Sequence, residues 1–139
     1  MFRGNHVDEK TDLAVYIETA LKEVIENMEA GEEVFSHYFS PSYTQHVDGH
    51  VLDYKDFIQH MTIQKTLLKS ATVTIQHSLA EPDKVCTVHR VSAVKKNGSV
   101  VEIQVIAYFE LENGKIVLCK ELTHLISGAD ADRTIGSIK

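Results

Sequence analysis

Cysteine and proline are scarce: the 139-residue chain holds two of each, with seven glycines. Cys86 and Cys119 stand alone with no Cys-x-x-Cys spacing, so neither a disulfide framework nor a cysteine metal site is expected. Both lie in apolar, strand-like stretches and read as small core residues. Long apolar runs are missing too. The longest, Leu13–Ile17 and Val105–Phe109, have five residues each, against the about 20 a membrane-spanning helix needs. Met1–Val7 has no apolar stretch of the secretory type. These features predict a protein of a reducing compartment, the cytoplasm. Basic residues are outnumbered, 14 against 20 acids, for a net charge of −6. No basic face for nucleic acid or anionic membrane is expected from that balance. Between Asp8 and Glu33 nine acids face two bases, the pattern of a solvated helix face. There is no glycine-rich phosphate loop, no Gly-x-Ser-x-Gly elbow and no His-Glu-x-x-His. Dinucleotide, serine-hydrolase and metal readings therefore fall away, even with eight histidines.

What is present is periodicity. Leu13, Ile17, Ala20, Leu21, Val24, Ile25 and Met28 recur at spacings of three and four, predicting one long amphipathic helix with Gly31 as its C-cap. A second, short helix is predicted over Glu32–Phe39, ended by Pro41. Tyr43–Val47 reads as a short extended piece and Asp48-Gly49 as a turn. Asp53 suits an N-cap for a third helix from Tyr54 to about Leu68. From residue 71 the texture changes to alternation rich in Val, Ile and Thr. Four strands are predicted, Ala71–Ala80, Lys84–Lys96, Ser99–Glu112 and Lys115–Ile126, the last three joined by Asn97-Gly98 and Asn113-Gly114 hairpins. Three helices followed by an antiparallel meander make an α+β fold. A curled sheet with a helix across its concave face encloses a cone-shaped pocket. Strand parity assigns the apolar face of Ser99–Glu112 (Val101, Ile103, Val105, Ala107, Phe109) to its wall. The same parity sends Cys119, Glu121 and Thr123 of the last strand into the cavity.

The order of these pieces resembles the nuclear transport factor two-like superfamily, in particular its SnoaL-like subgroup. The matching pieces are the helix before Gly31, Tyr38-Phe39, Tyr43 through Gly49, Phe57-x-x-His60, and the Asn97-Gly98 hairpin. They continue with Val105 through Phe109, Asn113 through Ile116, Glu121-Leu122-Thr123 and the tail from Asp132 to Ser137. The resemblance covers about residues 12–126 of one domain spanning 1–139, with residues 1–7 and 127–139 as flexible or edge-covering tails. It implies three N-terminal helices packed on a strongly curved antiparallel sheet forming a cone. It also implies a homodimer through the outer sheet face. Relatives include ketosteroid isomerase, whose general base matches His46 here. That isomerase's two oxyanion donors fall near Val24 and at Ala107, where neither side chain can donate, so steroid isomerisation is not expected. Lining residues of the second long strand match Arg90, Ser92 and Val94.

A His46–Glu121 pair is therefore the leading site. Imidazole titrates near neutrality and exchanges protons, and a carboxylate in an apolar cavity needs a partner. The same pair also reads as a buried polar bridge holding the short strand to the sheet. Arg90 and His60 are alternative partners for Glu121, and Asp48 is expected to cap its turn. Tyr43, Phe57, His60, Met61, Arg90, Val105, Ala107, Cys119 and Thr123 complete the expected substrate pocket. Two functions stay open. One is a cofactor-free isomerase, cyclase or dehydratase acting on a small hydrophobic molecule by His/Glu proton transfer. The other is a non-catalytic dimer that binds a ligand or a protein.

Overall fold

The computed structural model describes the backbone of residues 4–128 and the side chains from residue 13 onward. The Asp132–Ser137 motif and most of the C-terminal tail lie outside the described residues. Helix α1 (Gly4–Leu21) runs into a widened π-helical turn (Lys22–Glu26), then come α2 (Glu32–Tyr38), β1 (Phe39–Val47), β2 (His50–Asp53) and α3 (Tyr54–Leu67). Strands β3 (Leu68–Glu81), β4 (Lys84–Lys95), β5 (Val100–Glu112) and β6 (Lys115–Ser127) complete the chain. All six strands form one sheet in the order β2-β1-β6-β5-β4-β3. Strands β3 to β6 are the antiparallel meander, whereas β1 joins β6 in parallel. The architecture is α+β, as the sequence pattern predicts.

The helix boundaries differ from expectation at Gly31. The first helix ends at Asn27, whose side chain accepts the Glu29 N–H at 3.0 Å and whose carbonyl accepts the Ala30 N–H at 3.1 Å. Gly31 instead starts α2: it is extended (φ −117°, ψ −162°) and its carbonyl takes the N–H groups of Val34 and Phe35. Pro41 does not end that helix, which stops at Tyr38. It falls in a register shift of β1 between Phe39 and Thr44, where its missing N–H costs no ladder bond. Asp53 caps α3, accepting the Asp56 N–H at 2.8 Å.

The turns sort by backbone conformation. Asp48-Gly49 (φ 49° and 87°) and Asn113-Gly114 (φ 52° and 78°) have both central residues left-handed, as tight hairpins require. In Asn97-Gly98 only the glycine is left-handed. Asn97 Oδ1 accepts the Ser99 N–H at 2.9 Å, and Lys95 and Ser99 close a longer loop.

The apolar stripe of the first helix lies over the concave face, with Ile17, Ala20, Leu21 and Val24 buried and Leu13, Ile25 and Met28 packed beside them. An aromatic knot ties the other helices to β1. The Phe39 and Tyr43 rings are 4.7 Å apart, and each lies 4.9 Å from Phe57. The π-turn is fastened by two polar side chains. Glu26 accepts the Val73 N–H at 2.8 Å, and Lys22 donates to the Val73 carbonyl at 3.0 Å. Glu26→Ala orphans that half-buried N–H and is expected to cost about 1–3 kcal/mol of stability. Glu26→Gln keeps an acceptor in place and should recover most of the loss; urea unfolding at pH 7 measures both.

Candidate active site

Between the first helix, α3 and the concave sheet lies a cavity of about 110 Å³. That is the scale of cavities that take one small aromatic ring. Leu21, Val24 and Ile25 line it from above, and Phe57, His60, Met61, Gln64 and Lys65 line it from α3. The sheet contributes Phe39, Tyr43 and Gln45 from β1, and Cys119 and Glu121 from β6. Phe109, Val105 and Ile103 of β5, His89 and Val91 of β4, and Leu68 and Ala71 of β3 complete that wall.

Tyr43, Phe57, His60, Met61, Val105, Cys119 and Glu121 thus stand together on the cavity. His46 does not. Side chains alternate along a strand, and past the register shift Tyr43, Gln45 and Val47 are the buried residues of β1, which turns His46 to the other face. There it stands in register with Lys120, while Val47 pairs with Glu121. Neither the catalytic pair nor the polar bridge between His46 and Glu121 exists. Gln45 occupies the inward position instead, its Oε1 accepting the Tyr43 hydroxyl at 2.7 Å. Arg90 is displaced for the same reason. Val85, Thr87, His89 and Ala93 are the buried residues of β4, so Arg90 is exposed and donates to Gln104 Oε1 at 3.2 Å. Ser92 and Val94 share its parity and also leave the wall. Thr123 has the right parity but lies past the cavity's end, where its N–H and hydroxyl both donate to the Asp48 carboxylate. Ala107 is buried on the inner face, and its methyl group stops short of the cavity.

The sequence reading overlooked His89, Gln45, Gln64 and Lys65. Placing Arg90 inside turns His89, its neighbour in the strand, to the outer face. The signal was available: Val85, Thr87, His89, Val91 and Ala93 are the less polar alternate set of their strand.

Burial governs the chemistry of this wall. Glu121 is the carboxyl in it. Among the described residues no hydrogen bond or ion pair holds that carboxyl, and Asp48 stands near. Burial first and the Asp48 charge second push it up to about 8. His89 is driven down to about 4 by burial, and its Nδ1 is 2.9 Å from the Thr87 hydroxyl. Burial also lowers His60. It raises Tyr43 and Cys119 well above their usual values, the charge of Glu121 adding to both. At neutral pH these five groups are therefore uncharged. Cross-strand register puts Ala107 opposite Glu121 on one side and Thr87 on the other. The strands that carry Glu121 and the Thr87–His89 pair are two spacings, about 10 Å, apart.

The sequence pattern of the SnoaL-like domain matches residues 21–119. The chain belongs to that family. This SnoaL-like chain is 35% identical over 102 residues to the uncharacterized protein C11D3.04c of Schizosaccharomyces pombe, covering 73% of this chain and 78% of that one. Solved structures share the fold. PrhC from Penicillium brasilianum superposes with a TM-score of 0.72 at 10% identity, over 84% of this chain and 82% of its own. A candidate SnoaL-like polyketide cyclase from Jannaschia gives 0.68 at 14% identity, over 93% and 92%. A LEH-like epoxide hydrolase of M. tuberculosis gives 0.68 at 15%, over 84% and 85%.

The folded protein holds the Glu121 proton up to about pH 8, whereas an unfolded glutamate releases it near 4.5. Stability from this group is thus complete below about pH 4.5 and is lost as pH rises through 8. Glu121→Gln, a permanent mimic of the protonated form, should leave Tm nearly unchanged at pH 5 and raise it progressively towards pH 9. Melting curves across that range check the sign.

Proposed function

We propose that this SnoaL-like chain is a cofactor-free enzyme that moves a proton beside the carbonyl of a small, largely apolar molecule, as an isomerase, cyclase or dehydratase. The observation that carries this reading is the unpartnered Glu121 carboxyl, which faces the cavity and stays protonated at neutral pH. Such an acid donates a hydrogen bond to a carbonyl oxygen as negative charge develops there. The neutral His89 imidazole, oriented by Thr87, accepts the proton from the adjacent carbon. An acid that stays protonated and a base that stays unprotonated together suit abstraction beside a carbonyl. The apolar wall excludes water, which strengthens both interactions. The cyclase and epoxide hydrolase among the solved relatives support a small-molecule reaction on this fold. Two free thiols fit a reducing, cytoplasmic setting.

A homodimer through the outer sheet face belongs to the same proposal. Ile106 and Leu122 stand opposite each other in the ladder and are 56% and 67% exposed. An exposed apolar pair in that position suits burial against a second copy. Ile106→Glu should convert a dimer to monomer, read by light scattering on a sizing column. This face also favours the second reading, a dimeric ligand-binding or protein-interaction module without turnover.

Exchange of the α-hydrogens of small cyclic ketones in D₂O, followed by NMR, tests the enzyme. Wild type should accelerate exchange over a plateau, with loss below about pH 4 as His89 protonates and above about pH 8 as Glu121 ionises. Glu121→Ala, which removes the donor, should lower the rate about 100-fold or more, while His46→Ala leaves it unchanged. No acceleration by wild type would sink the enzymatic reading in favour of the binding module.

A further inference from the structure

The proton-transfer reading uses Glu121 and His89 and leaves one charged group of the wall without a task. Lys65, on α3, is the one lysine or arginine among the described lining residues. Its half-buried side chain lines the cavity at the rim and reaches across to the turn after the first helix, the ammonium donating to the Asn27 carbonyl at 2.8 Å. Among the described residues no carboxylate pairs with it. An ammonium has three donors, and one is used. The other cavity groups are neutral at pH 7, so this charge is uncompensated.

We propose that Lys65 binds a carboxylate of the ligand at the rim, so that the site takes a small apolar carboxylic acid whose opposite end reaches Glu121. The geometry gives the ligand its two ends: a single fixed cation at the rim, and a neutral hydrogen-bond donor on the sheet. A volume of about 110 Å³ between them limits the body to one ring or a short chain. A lone ammonium, with no arginine fork in the wall, suits one carboxylate better than a phosphate. Burial already pushes Lys65 down to about 8, and an anion beside it restores the charged form. With Glu121 protonated, nothing in the described wall repels that anion. The assignment rests on the cavity being the ligand site, and deepens that reading by naming the class of ligand.

Benzoate and its neutral isostere benzamide, titrated into the full-length protein at pH 7 by calorimetry, test it. Wild type should bind benzoate about tenfold or more tighter, the scale of one charge-assisted hydrogen bond. Lys65→Met should bring benzoate down to the benzamide level and leave benzamide unchanged, which shows the cavity intact. Lys65→Arg should keep the preference. Glu121→Ala should keep it as well, so failure of proton transfer and failure of carboxylate recognition are read separately. Equal affinity of wild type for the two compounds, binding of neither, or a preference that survives Lys65→Met would each overturn the assignment.

Discussion

Where β1 runs parallel to β6, Val47 stands opposite Glu121 and Gln45 opposite Cys119. The cavity depends on that register. It brings Tyr43 and Gln45 to the same wall as Cys119 and Glu121. It also brings the Asp48 turn against the end of β6, where the Asp48 N–H donates to the Glu121 carbonyl at 3.1 Å. The Asp48 carboxylate is then spent on Thr123, so it lends Glu121 charge without lending it a hydrogen bond. A slip of one residue would turn every side chain of β1 over. Tyr43 and Val47 would move into solvent, and His46 would move into the cavity.

That inversion is the one the sequence reading made. The meander was legible because each of its hairpins is local: alternation marks the strands, and the turn residues mark their ends. Cys119 and Glu121 were placed on the inner face by the same alternation. His46 was assigned by likeness to a relative, against the parity of Tyr43 and Val47 in its own strand. Arg90 was assigned in the same way against Val85, Thr87 and Ala93. The parallel partner of β1 left no local trace, because that pairing joins segments some seventy residues apart. Lys65 was hidden by its type. A lysine on an amphipathic helix reads as solvent-facing, and only its place in the cavity wall shows that its stem borders a pocket.

Charge in the cavity is organised by removal. Paired acids and bases would fix one another and leave little for a ligand. Here burial keeps the imidazoles neutral, and burial with the nearby Asp48 charge keeps the carboxyl protonated. The groups therefore hold their hydrogen-bonding capacity in reserve. The apolar residues around them set that state.

The grip of the π-turn on Val73 reaches beyond the cavity roof. Strand β3 is the outermost of its sheet, and an outermost strand offers its free N–H and C=O groups to any chain that can lie alongside. Glu26 and Lys22 take both of those groups at Val73. Two side chains of a helix thereby occupy the place of a seventh strand. The sheet has no open template at that point, and the fastening that roofs the pocket also guards the molecule against strand-by-strand aggregation.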